Sequence, residues 1–96
     1  MTNTANNSQV EEHIKDFIAK NLLFAAEGFS YSDDASFLQE GIIDSLGVMQ
    51  LVEFVQQDFR IAVDQQEVTP ENFDSVARLA DFVRRKLRAA PPSAAT

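Results

Sequence analysis

The 96-residue chain has 45% hydrophobic residues, no cysteine and a formal net charge of -7, a balance that suits one small globular domain. The missing cysteines exclude a disulfide framework, a thiolate metal site and a cysteine nucleophile, so any thiol chemistry must be borrowed. From Glu27 to Asp74 eleven acids stand against one base, Arg60, which excludes nucleic acid as an expected partner and fits equally steering toward a basic protein surface and the plain solubility of a small acidic domain.

Residues 1–8, rich in Asn and Thr, are expected to form a flexible N-terminus ahead of a domain over residues 9–88. Ser8-Gln9-Val10-Glu11 has the form of a capping box and predicts the start of a first helix. Val10, Ile14, Phe17, Ile18 and Leu22 follow at helical spacing, which carries the helix to about Phe24. His13 falls on its polar side and is expected to be a surface residue. Gly28 breaks the period, and Phe29 to Glu40 is expected to be a long ordered loop held by Phe29, Phe37 and Leu38. A short helical turn capped by Ser32 or Asp33 is expected within it. Asp33-Asp34 lacks the alternating ligands and central glycine of a calcium loop, so no metal is expected.

Leu46 to Phe59 is the most regular amphipathic stretch. Val48, Leu51, Val52, Val55 and Phe59 form its core stripe, with Phe54 at the edge. A second row, Leu46, Met49, Gln50, Glu53 and Gln57, mixes apolar and polar residues as a protein contact face does. Ile61-Ala62-Val63 is a short extended link, too isolated to build a sheet. Thr69-Pro70 starts a brief helix, with Thr69 at the cap and proline at the first position. Asp74 is expected to cap the last helix, whose core stripe is Val76, Leu79, Ala80, Val83 and Leu87. Arg84, Arg85, Lys86 and Arg88 complement the dipole at its C-terminal end. Residues 89–96, with Pro91-Pro92, read as a flexible tail or linker remnant. The fold class is therefore all-α, a four-helix bundle of three long helices and one short one, with a long first loop. No run approaches the roughly 20 apolar residues of a membrane span and the start has no signal-peptide order, so a cytosolic monomer without membrane contact is expected.

Asp44-Ser45 enters the second helix, and both residues are favoured helix caps. A nucleophile elbow needs Gly-x-Ser-x-Gly after a strand; Gly47 is present, but Ile43 holds the other glycine position and no strand precedes it. His13 stands far back in the chain with no orienting acid, so a triad is not expected and no catalytic residue is assigned. A hydroxyl that receives a group from another enzyme needs less: exposure, a rigid support and tolerance of a phosphodiester, which a helix N-terminus provides. A divalent cation or basic residue of the modifying enzyme would offset the charge of Asp44 during transfer.

Glu40-Gly41-Ile42-Ile43-Asp44-Ser45-Leu46, followed by Val48-Met49-Gln50-Leu51-Val52-Glu53-Phe54, resembles the attachment region of acyl carrier proteins. Phe59, the Ile61-Ala62-Val63 link and Thr69-Pro70-Glu71-Asn72-Phe73-Asp74-Ser75 match the segments that follow, so the resemblance spans about Val10 to Leu87. It implies the acyl-carrier type of four-helix bundle. It also implies that Ser45 carries 4'-phosphopantetheine, that Asp44 supports the transfer, and that the terminal thiol holds an acyl group as a thioester. The implied partners are a phosphopantetheinyl transferase, a loading enzyme and downstream acyl-processing enzymes, with docking on Leu46, Met49, Gln50 and Glu53. The protein would be a carrier rather than an enzyme.

Gly47, Gln50, Gln56 and Gln57 leave the second helix less acidic than in housekeeping fatty-acid carriers, whereas stand-alone D-alanyl and aminoacyl carriers loaded by adenylating enzymes look similar. A discrete carrier of a specialised pathway is therefore expected. The alternatives are fatty-acid or polyketide synthesis, and a helical interaction module in which Ser45 is only a cap. Phe54 and Phe59, if inward, would fill the space used by a long acyl chain, so a short or polar cargo held outside the bundle is expected.

Overall fold

The computed structural model describes residues 3–89. Four α-helices follow one another: α1 (Asn3–Phe17), α2 (Ser45–Phe59), α3 (Pro70–Phe73) and α4 (Val76–Ala89), and no strand occurs among the described residues. The expected bundle of three long helices, one short helix and a long first loop is thus present. Of the expected flexible ends, residues 1–2 and 90–96 lie outside the described residues.

Helix α1 begins at Asn3, so Ser8 lies within it and the capping box does not start it. Once the apolar stripe from Val10 is packed, each added residue gains a hydrogen bond without a new nucleation cost, so weak helix formers are carried along. At the other end the helix does not continue to Phe24. It widens into a π-helix over Ile18–Leu22, with the Leu23 N–H donating to Ile18 O at 2.9 Å and the Ala25 N–H to Ala19 O at 2.7 Å. Phe24 then turns into the left-handed region at φ 53°.

The core joins all the long elements. Ile14 from α1, Ile18 from the π-helical segment, Leu51 and Val55 from α2, and Val76, Leu79 and Val83 from α4 are fully buried in one cluster with Phe37 of the loop. On α4 two positions differ from the expected stripe: Leu87 is 45% exposed, while Phe82 is buried and packs on Phe73 with ring centroids 5.3 Å apart. Leu87 lies near the helix end, whereas Phe82 has an aromatic partner on α3. Phe54 packs toward α1, stacking on Phe17 at 4.1 Å between centroids.

The long loop is tied down by polar contacts that no local pattern announces. The Phe37 N–H donates to Asp74 O (2.8 Å) and the Ala77 N–H to Asp33 O (2.9 Å). The Asp74 carboxylate accepts from Ser36 Oγ and from the Leu38 N–H. Asp74 is therefore not the cap of α4. That role falls to the next residue, buried Ser75, whose Oγ accepts from the Arg78 N–H at 3.1 Å, the usual N-cap bond to the third helical residue. Of the expected anchors, Phe37 is fully buried and Phe29 is partly buried against the core, but Leu38 is 53% exposed, because the bonds to Asp74 turn it outward. Ser32 closes a hydrogen-bonded turn, its Oγ accepting from the Asp34 N–H, without a helical turn being formed.

Charged side chains stitch the helices together. Arg84 of α4 makes a bidentate pair with Glu11 of α1, at 2.6 and 3.0 Å. Arg85 pairs with Asp81 and bonds Asn72 Oδ1, and Lys86 pairs with Glu67 at 3.1 Å. Three of the four C-terminal cations are thus committed to acids, leaving little basic surface for a polyanion. Lys15 reaches Asp33 at 3.0 Å, which holds the ammonium above its usual range. His13 is exposed, as the sequence leads one to expect, but it has a partner: Nε2 lies 2.7 Å from Asp58 Oδ2, and the ring stacks on Phe54 and meets the edge of Phe59. The 45-residue separation between His13 and Asp58 hides the pair from any local reading.

The Glu67 carboxylate is held below its ordinary value, chiefly by the Asp64 N–H and secondarily by Lys86, against an opposing effect of burial. A depressed folded value stabilises the fold above the unfolded value of about 4.5 and loses that contribution as the pH falls through the folded value. Urea unfolding of Glu67→Gln is expected to show a smaller loss of stability between pH 5 and 3 (~2 units, spanning the carboxylate range) than the parent. An identical acid dependence would refute the assignment.

Candidate functional site

The entry to α2 is built from the loop upward. Gly41 adopts φ 69°, a left-handed turn that a side chain would strain. The Ile42 N–H donates to Phe37 O at 2.8 Å and the Ile43 N–H to the same oxygen at 3.3 Å. This turns both isoleucines into the core, where each is 5% exposed. Asp44 then arrives in extended conformation as the N-cap, its Oδ1 accepting from the Gly47 N–H at 2.9 Å. Asp44, not Ser45, is thus the cap, and Ser45 is the first helical residue, exposed to solvent.

That division of labour has a chemical consequence. The cap bond is made by the carboxylate, and no partner among the described residues engages the Ser45 hydroxyl. It stands beside backbone N–H groups and the positive end of the α2 dipole, a setting that tolerates a phosphodiester. Next to it runs an apolar groove of about 260 Å³ lined by Leu38, Val48, Met49, Val68, Pro70 and Phe73. These residues come from the loop, α2, the 60–69 link and α3. Buried Phe73 and exposed Leu38 and Met49 make it an open surface groove. The free hydroxyl and the adjoining groove fit attachment of a flexible, partly apolar arm.

Gly47 explains one departure from housekeeping carriers. A Cβ at this position would meet Ile43 Cγ2 at 2.3 Å, so the glycine makes room for the buried isoleucine. Gly47→Ala gains up to about 1 kcal/mol of helix propensity but overpacks a β-branched side chain at a cost of roughly 1–3 kcal/mol. The net expectation is a loss of about 1 kcal/mol, read as a lower urea midpoint at unchanged slope; a raised midpoint would contradict the packing argument.

The structure separates the expected docking residues. Leu46, Met49, Gln50 and Glu53 are all exposed on α2. Met49 faces the Ser45 groove, whereas Leu46, Gln50 and Glu53 face the opposite side, toward α1 and the π-helical segment. Phe54 and Phe59 also lie on the α1 side, against His13 and Phe17. They do not fill the groove beside Ser45, which removes the reason they offered for a short cargo. The helical period places Phe59 in the core stripe and Phe54 at its edge without saying which neighbouring helix covers them. Nothing in the sequence placed Leu38, Val68 or Asp74 beside Ser45, because loop and link are brought to α2 only by the fold.

Among the described residues no helix is long and apolar enough to cross a membrane. Residues 12–83 match the family described as the phosphopantetheine attachment site. A protein of Serratia sp. named "Probable acyl carrier protein PigG" is 36% identical over 50 residues, 52% of this chain and 56% of that protein, so the match spans about half its length. The acyl carrier protein of Buchnera aphidicola from Acyrthosiphon pisum is 30% identical over 77 residues, 80% of this chain and 91% of its own. Proteins of this kind are non-enzymatic carriers served by phosphopantetheinyl transferases and acyl-processing enzymes. With a free hydroxyl at the start of α2 and a family match over most of its length, the chain belongs to the acyl carrier proteins and is a carrier that uses phosphopantetheine, not an enzyme.

Proposed function

We propose that Ser45 is the attachment residue and that the chain is a carrier of a specialised biosynthetic pathway, loaded by an adenylating enzyme. The observation that carries the first part is the capping of α2 by Asp44, which leaves the Ser45 hydroxyl free, exposed and fixed on a rigid helix. When bound, the prosthetic group supplies the thiol that holds an acyl or aminoacyl group. Ser45 provides the covalent link, and Asp44 holds the helix terminus in place and offers a carboxylate beside the hydroxyl for a cation of the transferase. The apolar groove beside Ser45 gives the arm a surface to lie against.

The second part is supported by the face of α2. Leu46, Met49, Gln50 and Gln57 are exposed there with only Glu53 and Asp58 as acids, so recognition relies more on apolar and amide contact than on charge. The test is intact-mass analysis after incubation with coenzyme A, magnesium and a broad-specificity transferase. The adduct is then offered to an adenylating enzyme with its amino acid, and to a malonyl transferase with malonyl-coenzyme A. One adduct per chain followed by aminoacylation supports the reading. No adduct overturns the site, and malonyl loading alone transfers the chain to fatty-acid or polyketide synthesis.

A further inference from the structure

The groove beside Ser45 has one wall that helix packing does not provide. Val48 and Met49 stand on α2 and Pro70 and Phe73 on α3, but the loop side is formed by Leu38, which is 53% exposed and lies outside the core cluster. A half-exposed leucine is ordinary on a protein surface. This one is held at both of its backbone groups: its N–H donates to Asp74 Oδ1 at 3.1 Å, and its carbonyl accepts from the Gly41 N–H at 3.3 Å. Two residues earlier, the Ser36 hydroxyl donates to Asp74 Oδ2, while its oxygen accepts from the Gln39 N–H at 3.1 Å. The Asp74 carboxylate thus spends both oxygens on the short stretch of loop that forms this wall.

Asp74 is itself rigidly held. It closes α3, its own N–H donating to Pro70 O at 3.1 Å, and Ser75 beside it caps α4, so its backbone is fixed at the corner between two helices. It borders the same groove as Ser45. The course of the loop does not depend on its carboxylate, because the loop is tied by the Phe37 N–H on the Asp74 carbonyl, by the Ala77 N–H on the Asp33 carbonyl and by the buried Phe37 ring. None of these three ties uses the Asp74 side chain. What the carboxylate adds is local: it fixes Ser36 and Leu38, the lip of the groove, just ahead of the Gly41 turn that leads to Ser45.

We infer that Asp74 is a positioning residue for the arm carried on Ser45: its carboxylate clamps Leu38 in place as the loop wall of the groove, giving the apolar part of the arm a rigid surface to rest on. The inference rests on the reading of Ser45 as the attachment residue. Phosphopantetheine joins its phosphate to an apolar gem-dimethyl segment before the amides begin, and a groove with apolar walls that starts at Ser45 suits that segment. The energetic reason is preorganisation. A wall that is already fixed loses no further conformational freedom when the arm settles against it, whereas an unclamped Leu38 would have to be ordered each time.

The test uses the full-length chain, isotope-labelled, loaded with an unlabelled arm from coenzyme A by a broad-specificity transferase with magnesium, and checked by intact mass. Isotope-filtered NMR then reads the proximity of the arm's methyl groups to the protein as nuclear Overhauser effects. In the parent these are expected at Leu38 and at Met49. Asp74→Ala should lose the effect at Leu38 and keep the one at Met49, while the amide order parameter of Leu38 falls from about 0.85, a rigid backbone, to below about 0.6. Asp74→Asn retains an oxygen for the Leu38 N–H and should restore the contact, a rescue that general loosening of the fold would not produce. Ser36→Ala removes one of the two loop donors and should weaken the Leu38 contact in the same direction; it decides the matter if Asp74→Ala does not fold. No effect at Leu38 in the parent, an undiminished one in Asp74→Ala and Ser36→Ala, or equal loss at Leu38 and Met49 would each overturn the proposal. Absence of an adduct, or one that survives Ser45→Ala, overturns the attachment reading and this inference with it, whereas an adduct on Ser45 without contact to Leu38 overturns this inference alone.

Discussion

Ser45→Ala is expected to abolish the phosphopantetheine adduct while leaving the thermal midpoint within about a degree or two of the parent. Ser45 is the first residue of α2 and is exposed, so its removal creates no cavity. Its hydroxyl has no partner among the described residues, so no hydrogen bond is lost. Alanine is the better helix former by a few tenths of a kcal/mol, which for a domain of this size shifts the midpoint by about a degree or two. The loss of the adduct would then be chemical rather than structural. Asp44→Ala provides the contrast: it removes the carboxylate that accepts the Gly47 N–H and should cost about 1 kcal/mol as a lost N-cap, while the Ser45 hydroxyl remains. Intact mass and thermal melting together check both variants. An adduct of parental mass on Ser45→Ala would move the attachment site elsewhere, and a large drop in its midpoint would reassign Ser45 to a structural role.

The largest effect on stability is expected for Phe37→Ala. Phe37 is fully buried at the point where the long loop crosses the core. Its N–H bonds the Asp74 carbonyl, and its own carbonyl accepts from Ile42 and Ile43. Removing a buried phenyl ring costs roughly 3–5 kcal/mol through lost transfer energy and the cavity left behind, against a total of about 5–15 kcal/mol for a domain. The cost also falls on the Ser45 site, since Ile42 and Ile43 orient Asp44 from the same loop. Denaturant unfolding should show a midpoint lowered by a large fraction of its parental value, and adduct formation should slow in parallel. Full stability with an intact loop would mean that neighbouring side chains close the cavity, and that the loop depends on Asp74 instead. The fold thus supports the site through one hydrophobic plug and one carboxylate, neither of which belongs to the helix that carries the serine.

The chain order of helices, the buried positions of α2 from Leu51 to Val55 and the placement of Ser45 at a helix start were legible in the sequence. They depend on interactions within about four residues: helical periodicity, proline at a first position and a capping carboxylate. These are written into neighbouring residues and survive in any fold. The cap at Ser75 rather than Asp74, the exposure of Leu38 and Leu87, and the pairing of His13 with Asp58 were not legible. Each is decided by a partner distant in the chain, such as the 38 residues between Ser36 and Asp74 or the 73 between Glu11 and Arg84. The same holds for the two sides of α2. The row Leu46, Met49, Gln50 and Glu53 reads as one face at helical spacing, but the approach of α3 on one side and of the π-helical end of α1 on the other divides it into two grooves. By itself the sequence determined that a hydroxyl would stand at the head of an amphipathic helix in an acidic domain. Only the tertiary structure decided that Leu38, Val68 and Phe73 would line a groove beside Ser45 and that Phe24 would stand exposed across from Leu46 on the other side of α2, because both outcomes depend on how the loop, the 60–69 link and the end of α1 pack against α2.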